Sequence, residues 1–338
     1  MKPDVVSEFE TRVRTMLMAA AIALLPGAVC GAASIVGDYP NKPIRVLDQY
    51  GVGGATDVMS RVIGQQLTER FGAQFVVDNR PGVAGNIAAD IAARAAPDGY
   101  TLLMGVVSDL ATSPALYPQM NIHPLKDFAF VTTAASGNYA ITVSPKYPAK
   151  TIAEVIALAK SQPGKLSYGS GGIGSQLHLA IELLKSRAGI DLLHVPYKGG
   201  AGAIMTALVN GEIQVGIASI AGTLPFATNG RVVPIAVTGA KRARLFPNAP
   251  TLAESGISGY DITPWYGLVA PAGTPDSIVR GLSAEIGKIL QLPNVQTIFA
   301  NMGLDASPNT PERFREIMQS DIATAARIIK DAGIKPPQ

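Results

Sequence analysis

Short apolar runs rich in Val, Ile and Leu alternate with longer stretches of helical periodicity along most of the chain. The helical spacing i, i+3, i+4, i+7 is met, for example, at Leu177, Ala180, Ile181 and Leu184. The alternation predicts an α/β protein with largely parallel sheets. The runs predict strands at Ile44–Gln49, Phe75–Asp78, Thr101–Gly105, Phe128–Thr132, Ile141–Ser144, Leu166–Gly169, Leu192–Val195, Val215–Ser219, Val232–Thr238 and Leu268–Ala270.

Two β-rich segments flanked by Gly, Ser or Thr are suited to connect two lobes, Thr132–Val143 and Pro234–Lys241. A length of 338 residues is comfortable for two domains. We expect a discontinuous first lobe, residues 39–138 plus 240–338, and a second lobe, residues 139–239. The last helix is expected from Pro311 to about Lys330, because Thr310 is a good cap and Pro suits the first helical position.

Residues 1–33 have the pattern of a secretory signal peptide. Two arginines precede an apolar stretch from Met16 to Leu25, and small residues follow up to Ala33. This stretch is too short to span a bilayer, so we expect a mature protein exported to the periplasm. Cys30 is the only cysteine and would leave with the signal, which excludes a disulfide and a thiol nucleophile from the mature chain.

Charge patterning argues against nucleic acid as a partner. The chain carries a net charge of +3, but its Lys and Arg residues are scattered. Nucleic-acid-binding proteins concentrate basic residues on one face. The content of 47% apolar and 16% charged residues is that of an ordinary globular protein.

Two glycine-rich turns each follow a predicted strand and open a helix. The first glycine loop is Gly53, Gly54, Ala55, Thr56 and Asp57. The second glycine loop is Gly169, Ser170, Gly171, Gly172, Ile173, Gly174 and Ser175. Such turns direct free backbone N–H groups and the positive end of a helix toward one point, which favours an anion. We expect both loops to face one cleft that captures a small carboxylate.

Several residues of these loops have two interpretations. Asp57 is favoured as a helix cap, because a carboxylate repels an anionic ligand. The hydroxyl of Thr56 and the N–H groups from Gly54 to Asp57 are better donors to a ligand. Ser170 and Ser175 are either ligand contacts or ordinary turn residues, since Gly and Ser dominate turns.

The chain lacks the patterns of an enzyme or a cofactor protein. No Gly-Lys-Ser/Thr follows the second glycine loop, which excludes a phosphate P-loop. Tyr168 stands where a nucleophile elbow at Ser170 would need its first glycine. The three histidines, His123, His178 and His194, do not form a metal-ligand spacing. We expect no catalysis, no metal and no cofactor.

An ordered set of motifs covers the chain from about Tyr39: Tyr39–Arg45, Gly53–Asp57, Val77–Gly82, Gly85-Asn86, Ala96–Leu102, Asp127-Phe128, Gly169–Ser175 with His178, Val195–Gly199 and Ala270–Pro275. In this order they resemble the Bug (TctC-like) receptors of tripartite tricarboxylate transporters. The resemblance implies a type II periplasmic binding-protein fold, with two α/β lobes and a ligand cleft between them.

The resemblance also implies a monomeric receptor that captures an organic acid and delivers it to the permease subunits of a tripartite transporter. Family ligands include di- and tricarboxylates, acidic amino acids and small aromatic acids. A ligand-sensing partner of a signalling receptor and an exported hydrolase are the alternatives. The hydrolase lacks a convincing nucleophile, histidine and acid set.

The sequence departs from the family pattern at positions expected in the pocket. Val106 and Val107 precede Ser108 where small hydroxyl residues are usual, and Ala218, before Ser219, replaces a position that is often acidic. A less polar wall rejects additional charge, whereas helix N-termini still favour one carboxylate. We therefore expect a monocarboxylate with an apolar or aromatic body. The predicted ligand-binding set is Gly53, Gly54, Ala55, Thr56, Asp57, Ser108, Ser170, Gly171, Gly172, Ser175, Ala218 and Ser219.

Overall fold

The computed structural model describes residues 34–81, 86–116, 122–197 and 200–335. The predicted signal peptide, residues 1–33, lies outside the described residues. The strands are β1 Ile44–Asp48, β2 Phe75–Asn79, β3 Thr101–Val106, β4 Phe128–Gly137, β5 Tyr139–Val143, β6 Ser167–Ser170, β7 Leu193–Pro196, β8 Val215–Ser219, β9 Val233–Val237, β10 Trp265–Pro271 and β11 Leu304–Ala306.

Helices connect most of the strands. They are α1 Ala55–Phe71, α2 Asn86–Ala93, α3 Ser113–Leu116, α4 Pro124–Asp127, α5 Ile152–Ser161, α6 Gln176–Ala188, α7 Gly200–Asn210, α8 Ile220–Thr228, α9 Asp276–Ile289, α10 Pro293–Asn301 and α11 Pro311–Asp331. A π-helical turn, Ser108–Thr112, precedes α3. The cap predicted for α11 is present, because the Thr310 hydroxyl accepts a hydrogen bond from the N–H of Arg313 at 3.2 Å.

The strands form two sheets, one six-stranded with the order β11-β4-β10-β3-β1-β2 and one five-stranded with the order β7-β6-β8-β5-β9. Strand β1 runs parallel to β2 and β3, and β6 runs parallel to β7 and β8. Strand β10 is antiparallel to β3 and β4, and β5 is antiparallel to β8 and β9. The prediction of largely parallel sheets is therefore wrong, and both sheets are mixed.

The chain passes from the six-stranded to the five-stranded sheet between Gly137 and Tyr139, inside the first predicted connecting segment. It returns between Val237 and Trp265. Within that interval, Leu252, Ile257, Tyr260 and Ile262 are buried in the core of the five-stranded sheet. The packing thus continues beyond residue 239, and the exact lobe boundaries stay a prediction.

Each sheet buries its own apolar core. In the six-stranded sheet, Ile44 and Val46 of β1 pack against Met59 and Ile63 of α1. The i, i+4 spacing of the two α1 residues places them on one helix face, which covers the sheet. This packing fixes the N-terminus of α1 at the carboxyl end of β1. The first glycine loop lies at that junction.

Candidate functional site

Two adjoining cavities lie where loops of the two sheets meet. The first, of about 290 Å³, is here called the tyrosine cavity, because Tyr50, Tyr139 and Tyr266 line it. The second, of about 420 Å³, shares with it Ala55, Tyr139, Pro264 and Tyr266. The two cavities together are called the cleft. Tyr139 and Pro264 stand next to the connections between the two sheets, so the cleft lies beside these connections.

The first glycine loop forms one wall of the cleft. Gly54, Ala55 and Thr56 line the tyrosine cavity, and Gly53 lines the second cavity. Gly53 has a φ of +84°, a left-handed conformation that glycine adopts without a Cβ penalty. Gly54 is the N-cap of α1 and has no capping side chain. The N–H groups of the first helical turn lack partners within the helix, so those of Ala55 and Thr56 are suited to an anion.

Asp57 holds this loop in place. Its carboxylate accepts hydrogen bonds from the N–H of Gly53 at 2.9 Å and from the amide of Asn79 at 3.0 Å. It also forms an ion pair with Arg61 at 2.8 Å, and the hydrogen bond from Arg61 is the main cause that lowers the pKa of Asp57. Asp57 is therefore not the N-cap, which is Gly54; it lies in the first turn of α1 and fixes the loop before the helix instead of capping it.

The Thr56 hydroxyl is engaged behind the cleft. It donates to Asp48 at 2.8 Å, and Asp48, fully buried at the end of β1, also accepts from the N–H of Tyr50 at 2.9 Å. Burial is the largest cause that raises the pKa of Asp48. Thr56 therefore offers a ligand its backbone N–H, whereas its hydroxyl proton already has an acceptor.

Ser108 lines the tyrosine cavity at the start of the π-helical turn. Its hydroxyl and the hydroxyl of Tyr50 both donate to the carboxyl of Asp109, at 2.9 Å and 3.1 Å. Burial of Asp109 raises its pKa to about 7. The hydroxyls of Tyr50 and Ser108 are thus fixed by a buried acid that sequence reasoning had missed.

The second glycine loop has less access to the cleft than the first. Ser170 is fully buried, and its hydroxyl lies 2.6 Å from His194 Nε2 and accepts from the N–H of Gly172 at 3.2 Å. Ser175 caps α6 by accepting from the N–H of His178 at 3.2 Å. Among the described residues that line the cleft, this region contributes the next residue, Gln176. Ser170, Gly171, Gly172 and Ser175 are not among the described residues that line the two cavities, and the ligand role predicted for them remains a prediction.

Gln176 and Tyr139 form a hydrogen-bonded pair in the tyrosine cavity. The Tyr139 hydroxyl donates to Gln176 Oε1 at 2.5 Å. Sequence reasoning had missed both residues. The only signal for Gln176 was its position directly after a capping serine, where a side chain lies at the positive end of a helix.

Ala218 and Ser219, the last two residues of the predicted ligand-binding set, lie at the end of β8 in different environments. Ala218 is fully buried in an apolar cluster with Ile204 and Met205, so its side chain belongs to the core. Ser219 lines the second cavity and caps α8, because its hydroxyl accepts from the N–H of Gly222 at 3.3 Å. The structure therefore brings together Ser219, Ser108 and residues Gly53–Thr56, and it separates Ala218 from them.

Apolar and aromatic side chains complete the tyrosine cavity. Val106, Val107 and Trp265 line it and are each at most 6% exposed. The Trp265 ring packs edge-on against Phe314 at 5.0 Å, and its Nε1–H donates to Asp321 at 2.6 Å. Trp265 is therefore held by packing and by a hydrogen bond while it also borders the cleft. The described residues that line the two cavities include no charged side chain.

A ladder of rings lies beneath the second glycine loop. His194 stacks between Tyr168 and His178, with ring centroids 5.1 Å and 4.0 Å away. His178 Nδ1 accepts a hydrogen bond from the N–H of Gly174 at 3.0 Å, which requires that nitrogen to be unprotonated. Burial, and next the neighbouring His178, lower the pKa of His194 to about 4. The neutral ladder thus holds the loop.

The Ser170–His194 contact is, among the described residues, a serine–histidine pair of the kind that a hydrolase uses. A nucleophilic serine has to be reachable by a substrate, whereas Ser170 is fully buried. Within the described ranges, no group of His, Cys, Asp and Glu is arranged to hold a metal ion. No helix among the described residues is long and apolar enough to cross a membrane.

A family model for the tripartite tricarboxylate transporter family receptor matches residues 59–334. The chain belongs to this family. The predicted resemblance to Bug (TctC-like) receptors and the two-lobed fold are confirmed, and the protein is a receptor of this transporter family. Receptors of the family are periplasmic.

Relatives with known sequence or structure align along nearly their whole length. Protein BugT of Bordetella pertussis is 32% identical over 306 residues, which cover 90% of this chain and 94% of BugT. A solved R. palustris protein with adipate is 32% identical, with a TM-score of 0.77 and coverage of 89% of this chain and 100% of that chain. MatC from Rhodopseudomonas palustris, with bound malate, is 27% identical, with a TM-score of 0.72 and coverage of 86% and 100%.

Proposed function

We propose that this protein is exported by residues 1–33 and captures a monocarboxylate with an apolar or aromatic body for the permease of a tripartite transporter. The observation that carries the proposal is the composition of the tyrosine cavity. One wall is the N-terminus of α1, and the others are largely aromatic and apolar. A monomer that closes about the connections between its sheets would trap such a ligand.

The charge balance of the cleft supports a single carboxylate. The positive end of a helix is equivalent to about half an elementary charge, which suits one anionic group. The described lining offers no Lys or Arg to a second or third carboxylate. A buried charge without such a partner is costly, so citrate-like tricarboxylates are disfavoured. Among the described residues, the lining also offers no carboxylate to the ammonium group of an amino acid.

The ligands of two similar structures support the same chemistry. One holds adipate, whose two carboxylates are separated by an apolar chain, and the other holds malate. Both are organic acids. For this chain, the aromatic side chains of Tyr50, Tyr266 and Trp265 favour the more apolar ligand body.

The test is a thermal-shift screen followed by calorimetric titration with benzoate, hexanoate, adipate, glutamate and citrate. A ligand that binds the native state raises the melting temperature by mass action. We expect benzoate or hexanoate to bind more tightly than glutamate or citrate. Tight binding of glutamate or citrate, without a response to the monoacids, would refute the proposed ligand class.

A further inference from the structure

Gln176 belongs to the five-stranded half of the molecule and lines the cleft together with Tyr139 of β5. It occupies the first position of α6 and is 8% exposed. It lines the tyrosine cavity and also a neighbouring cavity of about 480 Å³. Val107 and Trp265 line the same two cavities, so these three residues form the partition between them.

The hydrogen bond from Tyr139 fixes the orientation of the Gln176 amide. The Tyr139 hydroxyl donates to Oε1, which leaves the two N–H donors of Nε2 on the opposite side. Among the described residues, Nε2 has no hydrogen-bond partner, although the side chain is more than nine-tenths buried. Among the described residues, the buried side-chain N and O atoms without a partner are those of Gln49, so Gln176 Nε2 is accessible from the cavity and its N–H groups can donate to an acceptor that arrives with a ligand.

We propose that Gln176 binds the ligand, with Nε2 donating to an oxygen of the bound carboxylate, and that Tyr139 is the residue that positions it. This assignment rests on the proposed function and adds to it. The N-terminus of α1 in the six-stranded half and the Gln176 amide in the five-stranded half line the same cavity. An oxygen ligand held by both would connect the two halves and favour the closed form.

In this proposal the Gln176 amide accounts for a preference for one carboxylate as well as for part of the affinity for it. Gln176 donates to a carboxylate without adding a positive charge, so it does not create a place for a second anionic group. An amide is also a weaker partner than Arg, whose fork binds a carboxylate in a bidentate manner. We therefore expect affinity to depend on one hydrogen bond of normal strength at this position.

The test replaces the donor and keeps the volume. Gln176→Met removes the hydrogen bond, and Gln176→Glu replaces Nε2 by an oxygen that repels a carboxylate at pH 7.5. Binding is measured by calorimetry with whichever of benzoate, hexanoate and adipate binds the wild type most tightly. We expect affinity to fall about tenfold to hundredfold for Gln176→Met and further for Gln176→Glu. Gln65, exposed on α1, provides the matched controls Gln65→Met and Gln65→Glu, which should bind as the wild type does.

A spectroscopic measurement tests the role of Tyr139 separately. In wild-type protein labelled with ¹⁵N, the side-chain amide resonances of Gln176 should shift on titration with the same probe. In Tyr139→Phe the amide loses its fixed orientation, so we expect a smaller shift and a threefold to tenfold loss of affinity. The melting temperature of each unliganded variant shows whether it is folded.

The outcomes separate this role from the proposed function. If the wild type binds a probe and folded Gln176→Met binds it equally well, the role of Gln176 is wrong and the receptor function stands. If the side-chain amide resonances of Gln176 do not shift when the wild type is saturated with the probe, the role of Gln176 is likewise wrong and the receptor function stands. If Tyr139→Phe preserves both affinity and shift, the positioning role is wrong. If no probe binds the wild type, the proposed ligand class is refuted, and the role of Gln176 that rests on it is refuted too.

Discussion

Gly174 of the second glycine loop lies so close to Leu116 that a Cβ at this position would overlap with its side chain. Its φ is +75°, and a Cβ placed on it would lie 1.8 Å from Leu116 Cδ2 and 3.2 Å from Leu116 Cγ. Leu116 is the last residue of α3, which lies between β3 and β4 of the six-stranded sheet. Gly174 follows β6 of the five-stranded sheet. The contact therefore joins the two halves of the molecule, and Gly174→Ala should disturb it.

The cost of Gly174→Ala has two parts. An alanine in a left-handed conformation costs about 1 to 2 kcal/mol. The overlap with Leu116, which is only 2% exposed and has little room to move, adds about 1 to 3 kcal/mol. We expect a total loss of about 2 to 5 kcal/mol in the free energy of unfolding, or an opening of the loop away from Leu116 that weakens ligand binding.

A double-mutant cycle with Leu116→Ala isolates the steric part, measured by denaturant unfolding. Leu116→Ala removes the δ-carbons, so Gly174→Ala should then cost only the backbone part. Gly189→Ala is the backbone control, because Gly189 has a φ of +62° and no atom within 4 Å of a placed Cβ. The steric argument is refuted if Gly174→Ala lowers the free energy of unfolding equally in the wild type and in Leu116→Ala. It is also refuted if Gly174→Ala costs no more than Gly189→Ala.

Three further predictions concern the buried ionisable groups and the absence of turnover. The pKa of His194 is lowered to about 4, so the stability from its neutral ring is present above about pH 6.5 and is lost as the pH falls toward 4. Between pH 7 and 5 the wild type should lose about 1 to 2 kcal/mol in the free energy of unfolding relative to folded His194→Gln. The pKa of Asp109 is raised from 3.8 to about 7, so the stability that favours its neutral form is fully present below about pH 4 and is lost as the pH rises from about 4 to 7; Asp109→Asn should remove this loss, which unfolding at pH 5 and pH 8 would reveal. Incubation with esters, amides or phosphoesters should give no product, and reproducible turnover abolished by Ser170→Ala would contradict a binding role.

Strand positions could be predicted from the sequence, but strand directions could not. Each of the ten predicted apolar runs overlaps an observed strand, because a buried strand needs a continuous or alternating apolar run. The eleventh, Leu304–Ala306, is too short to give such a pattern. Periodicity carries no information on direction, and β10 enters antiparallel between β3 and β4 after a long connection. The interpretation of the sheets as largely parallel failed for that reason.

The wall of the candidate site that the first glycine loop forms could be predicted from the sequence. The wall that Tyr139 and Gln176 form could not. Gly53 and Gly54 precede a helical pattern, and this local signal placed them correctly at the start of α1 beside the cleft. Tyr139 and Gln176 lie 37 residues apart, and only the tertiary fold brings the hydroxyl to the amide. Asp109 was missed because its importance arises from burial beneath Tyr50, which no spacing in the sequence reveals.

The acids around the cleft bear on how a cavity whose described lining carries no charged side chain would bind the proposed anion. Asp48, Asp57 and Asp109 are each at most 3% exposed, and each accepts hydrogen bonds from neighbouring N–H or O–H groups. These bonds arrange Thr56, Gly53 and Ser108, the residues that a ligand would touch. The ligand then meets N–H donors and hydroxyl groups in a largely apolar cavity, where a hydrogen bond is stronger than in water.

The same arrangement limits how much negative charge can enter. A carboxylate bound at the N-terminus of α1 approaches Asp48 and Asp109, whose pKa values are already raised by burial. The added negative charge should raise both pKa values further, so binding should be accompanied by proton uptake near neutral pH. A second or third carboxylate would increase this repulsion without a cation in the described lining to offset it. The proposed selection of one carboxylate therefore rests on the acids behind the cleft as well as on the aromatic side chains within it.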